Sequence, residues 1–158
     1  IRRYTTRVFL FAPAREWYDF LINKYPHNPK VSFFHFGLGL TAGTTKLYSN
    51  GHEGDGSNIY TPPDTVESIT IKKISEFLLE QDIKKVDLIE FNCEGSEYEI
   101  IEDLFSKNQL TVFQTIQVQF HKIKNYQELV QKTRTMLSQK HHKKWFFENV
   151  FECWELSK

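Results

Sequence analysis

The chain has 158 residues, with 20 Lys and Arg balanced by 20 Asp and Glu, so bulk charge selects neither nucleic acid nor an anionic membrane as a partner. Fourteen Phe, seven Tyr and three Trp are too many for a disordered chain and suit one well-packed domain across residues 1–158. No apolar run reaches the roughly 18 residues of a membrane span, and the sequence opens on Ile1 with no signal peptide, so a chain trimmed or excised from something longer is expected.

In chain order, 7–11 (RVFLF) reads as a short apolar strand, and Pro13 suits the first position of a helix reaching about Lys24. Pro26 and Pro29 end it. A strand follows at 31–36 (VSFFHF), which Gly37 and Gly39 turn toward a shorter one at 44–48 (TTKLY). The sixteen residues 49–64, rich in Gly, Asn, Asp and Pro, exceed most connections in compact domains and read as a lid or substrate loop. Ile71, Ile74, Phe77 and Leu78 mark one face of a helix ending near Gln81. The next strand, 86–91 (VDLIEF), is the central one. Beyond it Ser96 and Glu99 have capping-box spacing for a helix over 97–107, with Tyr98, Ile101, Leu104 and Phe105 recurring at helical intervals. A strand at 115–120 and a helix at 126–139, carrying Leu129, Val130, Thr133, Met136 and Leu137 inward, come next. Strands at 145–147 and 150–156 close the chain as a hairpin around Glu148 and Asn149. Alternating strands and helices predict an α/β, Rossmann-like fold: a mostly parallel sheet with helices on both faces, ending in an antiparallel hairpin.

In such sheets ligands collect beyond the carboxyl ends of the strands. That places Asn92, Cys93, Glu94 and Gly95, which follow the central strand, where chemistry is expected. The run DLIEFNCEGSE, residues 87–97, resembles the signature of the FkbM-type methyltransferases, with Asp87, Glu94, Gly95 and Glu97 in register, Glu90 in place of a usual lysine and Asn92 in place of a usual aspartate. RVFLFAPAREWYDFL, FGLGLTAGTTKLY, GDGSNIY and IQVQFH resemble further segments of the same family, so the similarity spans nearly the whole chain. It implies a class I methyltransferase fold, S-adenosylmethionine as cofactor, and a sugar or natural-product hydroxyl as small-molecule or glycan substrate. The family's opening strand and its glycine-rich turn have no counterpart here, which makes the expected fold a truncated one. Strands 7–11 and 86–91 are then expected to pair directly, about 4.8 Å apart, in preference to a strand from a partner chain or an upstream segment filling the gap.

The resemblance assigns catalysis to Glu94 and His121, donor contacts to Asn92, Ala12 and Cys93, and substrate contacts to Ser57 and Gln119. His121 is suited to act as a general base near neutral pH, or else bonds only a loop carbonyl. Glu94 orients the acceptor hydroxyl or satisfies turn amides. Ala12 stands where the family usually has a glutamate and has no oxygen for a ribose, so donor binding by this chain alone is expected to be weak or absent. A second reading follows: a methyltransferase-like domain without catalysis, serving as an interaction or structural subunit. His52, Glu53 and Asp55 lie in the long loop and read as solvated, so no metal is expected. QKHHKK at 139–144 reads as a basic helix end. Trp145 and Trp154 read as core or edge-covering aromatics. Cys93, beside Glu94, reads as an inert thiol. With Cys153 it has neither zinc-site nor disulfide-framework spacing, which points to a reducing compartment such as the cytoplasm.

Overall fold

A computed structural model describes residues 7–26, 28–49, 59, 65–147 and 151–158. It divides into two compact units, one from Ile1–Leu38 and Ala42–Lys72, the other from Gly39–Thr41 and Lys73–Lys158.

The first unit opens with β1 (Val8–Phe11), crosses through α1 (Arg15–Lys24) and returns as β2 (Val31–Phe34). β1 and β2 run parallel, with Val8 opposite Val31 and Phe11 opposite Phe34. The aromatic side chains predicted as strand formers meet across this pair, Phe11 stacking on Phe34 with ring centroids 5.2 Å apart. Ala14, the N-cap of α1, has no side chain to bond the helix amides. Glu67 supplies the cap instead, accepting the Arg15 amide at 3.0 and 3.2 Å. The remaining strands are β3 (Gly37–Gly39), β4 (Gly43–Ser49) and β5 (Thr65–Lys73), ordered β3-β5-β4 with β4 and β5 antiparallel. A Cβ on Gly37 would stand 2.8 Å from Ile71 Cδ1, so a larger residue there would require the end of the Ile71 side chain to shift.

β5 corrects the expectation that Ile71 begins a helix. Thr65 to Ile71 is rich in β-branched residues, Ile69 is buried between exposed Ser68 and Thr70, and the helix starts only at Ile74.

The second unit contains α2 (Ile74–Glu80), β6 (Ile89–Phe91), α3 (Glu97–Ser106), a 3₁₀ turn (Leu110–Val112), β7 (Thr115–Val118), α4 (Tyr126–Ser138), β8 (His141–Phe147) and β9 (Phe151–Leu156). Its sheet has the order β6-β7-β9-β8. β6 and β7 are parallel, while β9 runs antiparallel to both β7 and β8. Ile101, Leu104, Ile116, Val118 and Leu137 are fully buried and form the centre of the core. α3 packs against α2 and α4, which makes the helix after the acidic turn the keystone of this unit.

The sheet expectation is met only in part. Among the described residues, three small sheets of two, three and four strands stand in place of one mostly parallel sheet, although the C-terminal antiparallel pair of strands is present. β1 is bonded to β2 and β6 to β7. Val86 makes only an isolated bridge to Phe113. Asp87 and Leu88 are exposed, which breaks the predicted central strand and leaves three residues of it in β6. The basic run 140–144 lies largely in β8 rather than at a helix end, and Lys143 and Lys144 pair there with Glu152 and Glu155 of β9. Of the two tryptophans, Trp154 is buried and Trp145 is exposed. The turn at 148–150 lies outside the described residues.

His141, at the start of β8, is buried and donates from Nε2 to the Phe113 carbonyl at 2.9 Å, while Nδ1 has no partner. Burial pushes its pKa below the ordinary 6.5. The unfolded chain therefore takes up this proton first as pH falls, so His141 removes stability as pH drops through 6.5 toward its folded pKa. Urea midpoints measured across that window are expected to fall with acidity. His141→Phe should flatten this slope while lowering stability near neutral pH by about 1–3 kcal/mol, because the Phe113 carbonyl loses its donor.

Candidate active site

β6 ends at buried Phe91, and the chain leaves the sheet through Asn92, Cys93, Glu94 and Gly95 before α3 begins. Two successive residues of this turn have left-handed backbone, Glu94 at φ 51° and Gly95 at φ 107°. The other non-glycine residues with positive φ among those described are Asp82, Asn108 and Asn125, types that tolerate this region, so Glu94 is the strained exception, at a cost of about 1–3 kcal/mol. The expected capping box is not formed. Ser96 already has helical backbone and makes no side-chain cap bond, whereas an N-cap needs extended geometry to reach forward.

Glu97, the first residue of α3, closes the turn instead. It has no solvent exposure. Its Oε2 accepts the Gly95 amide at 2.9 Å and the Cys93 thiol at 3.5 Å. Its Oε1 accepts the His121 amide at 2.8 Å and lies 3.3 Å from His121 Nδ1.

His121 arrives from the neighbouring strand. The Gln119 amide donates to the Phe91 carbonyl at 2.9 Å, which extends the β6–β7 ladder by one bond past β7 and holds the two strand ends side by side. The Tyr98 hydroxyl then donates to the His121 carbonyl at 2.8 Å, and the Tyr98 ring stacks on Phe120 with centroids 5.7 Å apart. With its backbone fixed in this way, the imidazole stands between two carboxylates, Nδ1 toward Glu97 and Nε2 at 3.3 Å from Glu94 Oε1. The Glu94 side chain is 33% exposed and that of His121 14%, so the Glu94 side of the ring is the side open to a reactant.

The electrostatics follow from this packing. The His121 pKa is raised above 6.5, first by the bond to Glu97 and then by the charges of Glu97 and Glu94 and the Gln119 backbone, with burial opposing. Cys93 is pushed up by burial and then by Glu97 and Glu94, which leaves a protonated thiol at neutral pH, as expected for an inert cysteine.

The structure therefore brings together Glu94, His121, Cys93 and the Gln119 backbone, and adds Glu97 and Tyr98, which sequence reasoning had used only as a motif match and a core residue. Asn92 is exposed beside them. Ala12 belongs to the first unit, just past β1, where it is buried and its amide donates to the Phe34 carbonyl at 3.0 Å. Ser57, like His52, Glu53 and Asp55, lies outside the described residues. Among the described residues no cluster of His, Cys, Asp and Glu is arranged to hold a metal.

The β6–α3–β7 unit thus sets an acidic turn after one strand beside a carboxylate-flanked histidine after the next, at the strand ends of an α/β domain. The family model for the methyltransferase FkbM domain matches residues 6–151. The chain belongs to the FkbM methyltransferase domain family. Among solved structures it is similar to methyltransferase FkbM from Methylobacillus flagellatus KT, with a TM-score of 0.52 and 13% identity, over 96% of this chain and 36% of that one. The fold is thus shared, and the chain spans about a third of that protein's length. No curated protein matches the sequence significantly. No described helix is long and apolar enough to cross a membrane.

Proposed function

We propose that this chain carries the acceptor side of an S-adenosylmethionine-dependent O-methyltransferase acting on a sugar or natural-product hydroxyl, in a reducing compartment such as the cytoplasm. The observation that supports this reading is the placement of His121 Nε2 beside Glu94 on the exposed side of the strand-end cluster. The donor, when bound, supplies an electrophilic methyl group. The protein has to align the acceptor oxygen and take its proton. In this reading Glu94, 3.3 Å from His121 Nε2, orients the hydroxyl and His121 receives its proton. Gln119 borders the same site and is offered as a substrate contact, as is Ser57.

The residues assigned to the donor fit it poorly. Ala12 is buried and its side chain has no oxygen to accept from a ribose hydroxyl, and the Cys93 thiol is already bonded to Glu97. Asn92 alone offers an exposed polar group. Titration calorimetry with S-adenosylhomocysteine is therefore expected to give a Kd weaker than about 10 μM, corresponding to less than about 7 kcal/mol. Amide shifts at saturating ligand should concentrate at Asn92 to Gly95. Binding at micromolar strength or tighter would overturn the account of the donor contacts, and shifts confined to other segments at millimolar ligand would overturn the placement of the site.

A further inference from the structure

We infer that Glu97 is the positioning residue of this site, a buried carboxylate that holds His121 with Nδ1 protonated and leaves Nε2 as the one imidazole atom able to take a proton beside Glu94. The catalytic meaning of this inference rests on the function proposed above; the geometry that carries it does not.

Every group that meets Glu97 is a donor. The Gly95 amide and the Cys93 thiol approach Oε2, and the His121 amide approaches Oε1. A carboxylate satisfies donors at both oxygens, whereas the amide of a glutamine must turn an NH₂ group against one set of N–H donors. The position thus requires the carboxylate and not merely its shape. Because Oε1 is already an acceptor, the nitrogen 3.3 Å away, Nδ1, is satisfied only as a donor. In a neutral imidazole one nitrogen carries the proton and the other the lone pair. Fixing the proton at Nδ1 places the lone pair at Nε2, which faces Glu94.

The same carboxylate sets the other half of the pair. Its bond to the Gly95 amide restrains the turn in which Glu94 sits at positive φ. One side chain therefore ties the loop after β6 to the loop after β7 and fixes the relation between their reactive groups. Its place at the head of ten-residue α3, where free amides and the helix dipole favour an anion, fits this role.

The test is the tautomer of His121, read by long-range ¹H–¹⁵N NMR at a pH above its titration and assigned by its loss in His121→Asn. No methyl donor is needed. The wild-type protein is expected to show a protonated Nδ1 and an unprotonated Nε2. Glu94→Gln should keep that state because Glu97 remains. Glu97→Gln should shift it to the Nε2–H form or a mixture, and should lower kcat by about 10²-fold or more with KM nearly unchanged. A wild-type ring protonated at Nε2, or an unchanged tautomer in folded Glu97→Gln, would overturn the inference. If Glu97→Gln does not fold, the wild-type and Glu94→Gln spectra still decide it. Absence of methyl transfer would count against the proposed function while leaving this reading of the ring intact.

Discussion

His121→Ala is expected to lower turnover by about 10²–10⁴-fold, the usual contribution of a general base, while changing KM much less. The imidazole is held by its backbone bonds and by Glu97, so its removal deletes the proton acceptor without releasing the turn that carries Glu94. Glu94→Gln should act in the same direction. A comparable rise in KM with kcat unchanged would mean that His121 binds substrate without taking its proton. The pH profile has a definite sign. Glu97, Glu94 and the Gln119 backbone raise the His121 pKa above 6.5, and a base works only in its neutral form. The rate should therefore climb with pH through a value above 6.5, and the climb should disappear in His121→Ala. His121 also contributes to folding stability with the opposite sense to His141. Its contribution is complete below the unfolded value of 6.5 and is lost as pH rises through the raised folded value.

The second large effect is on folding. Leu104 lies on α3 with no solvent exposure, one turn beyond Ile101, which is also fully buried. Leu104→Ala should cost about 2–5 kcal/mol through lost apolar contact and the cavity left behind. Denaturant unfolding followed by tryptophan fluorescence would measure it, since Trp154 is buried in the same unit. Glu102→Ala on the outer face of the same helix, where the carboxylate pairs with Lys132 at 2.8 Å, should change stability by no more than about 1 kcal/mol, because exposed pairs contribute little. Similar losses for the two variants would contradict the core assigned to α3.

Much of the second unit was legible in the sequence because its periodicities are strong. Val130, Thr133, Met136 and Leu137 recur on one face of α4 and are buried as predicted, whereas Leu129, also expected inward, is only half-buried. The acidic turn stood out because an apolar strand passes into a helix through a single glycine, and Gly95 does adopt a backbone angle that only glycine tolerates readily. What failed depended on tertiary competition for local groups. The spacing of Ser96 and Glu99 satisfied the capping-box rule, but Ser96 has helical backbone and its amide already donates to the Cys93 carbonyl at 3.0 Å. β5 was mistaken in part for a helix because Ile71, Ile74, Phe77 and Leu78 have helical spacing, although the β-branched alternation ahead of Ile74 was available to correct it. The role of Glu97 had no sequence signal beyond its motif match, since an acid in the first turn of a helix usually faces solvent. Its burial follows from His121, 24 residues away in sequence, which no local pattern specifies. The division into three small sheets was equally hidden. Apolar composition predicts that a segment forms a strand, not which edge it joins.

The most direct test of the proposed activity is transfer of a labelled methyl group from S-adenosylmethionine, supplied at millimolar concentration to offset weak donor binding, to a panel of hydroxyl-bearing sugars and natural products, using the native full-length protein. The expected result is label recovered in an ether linkage, with a yield that rises above pH 6.5 and falls by about 10²-fold or more in Glu94→Gln and His121→Ala. Label on nitrogen or carbon alone, no transfer to any hydroxyl, or transfer unaffected by both substitutions would contradict an O-methyltransferase site built on Glu94 and His121.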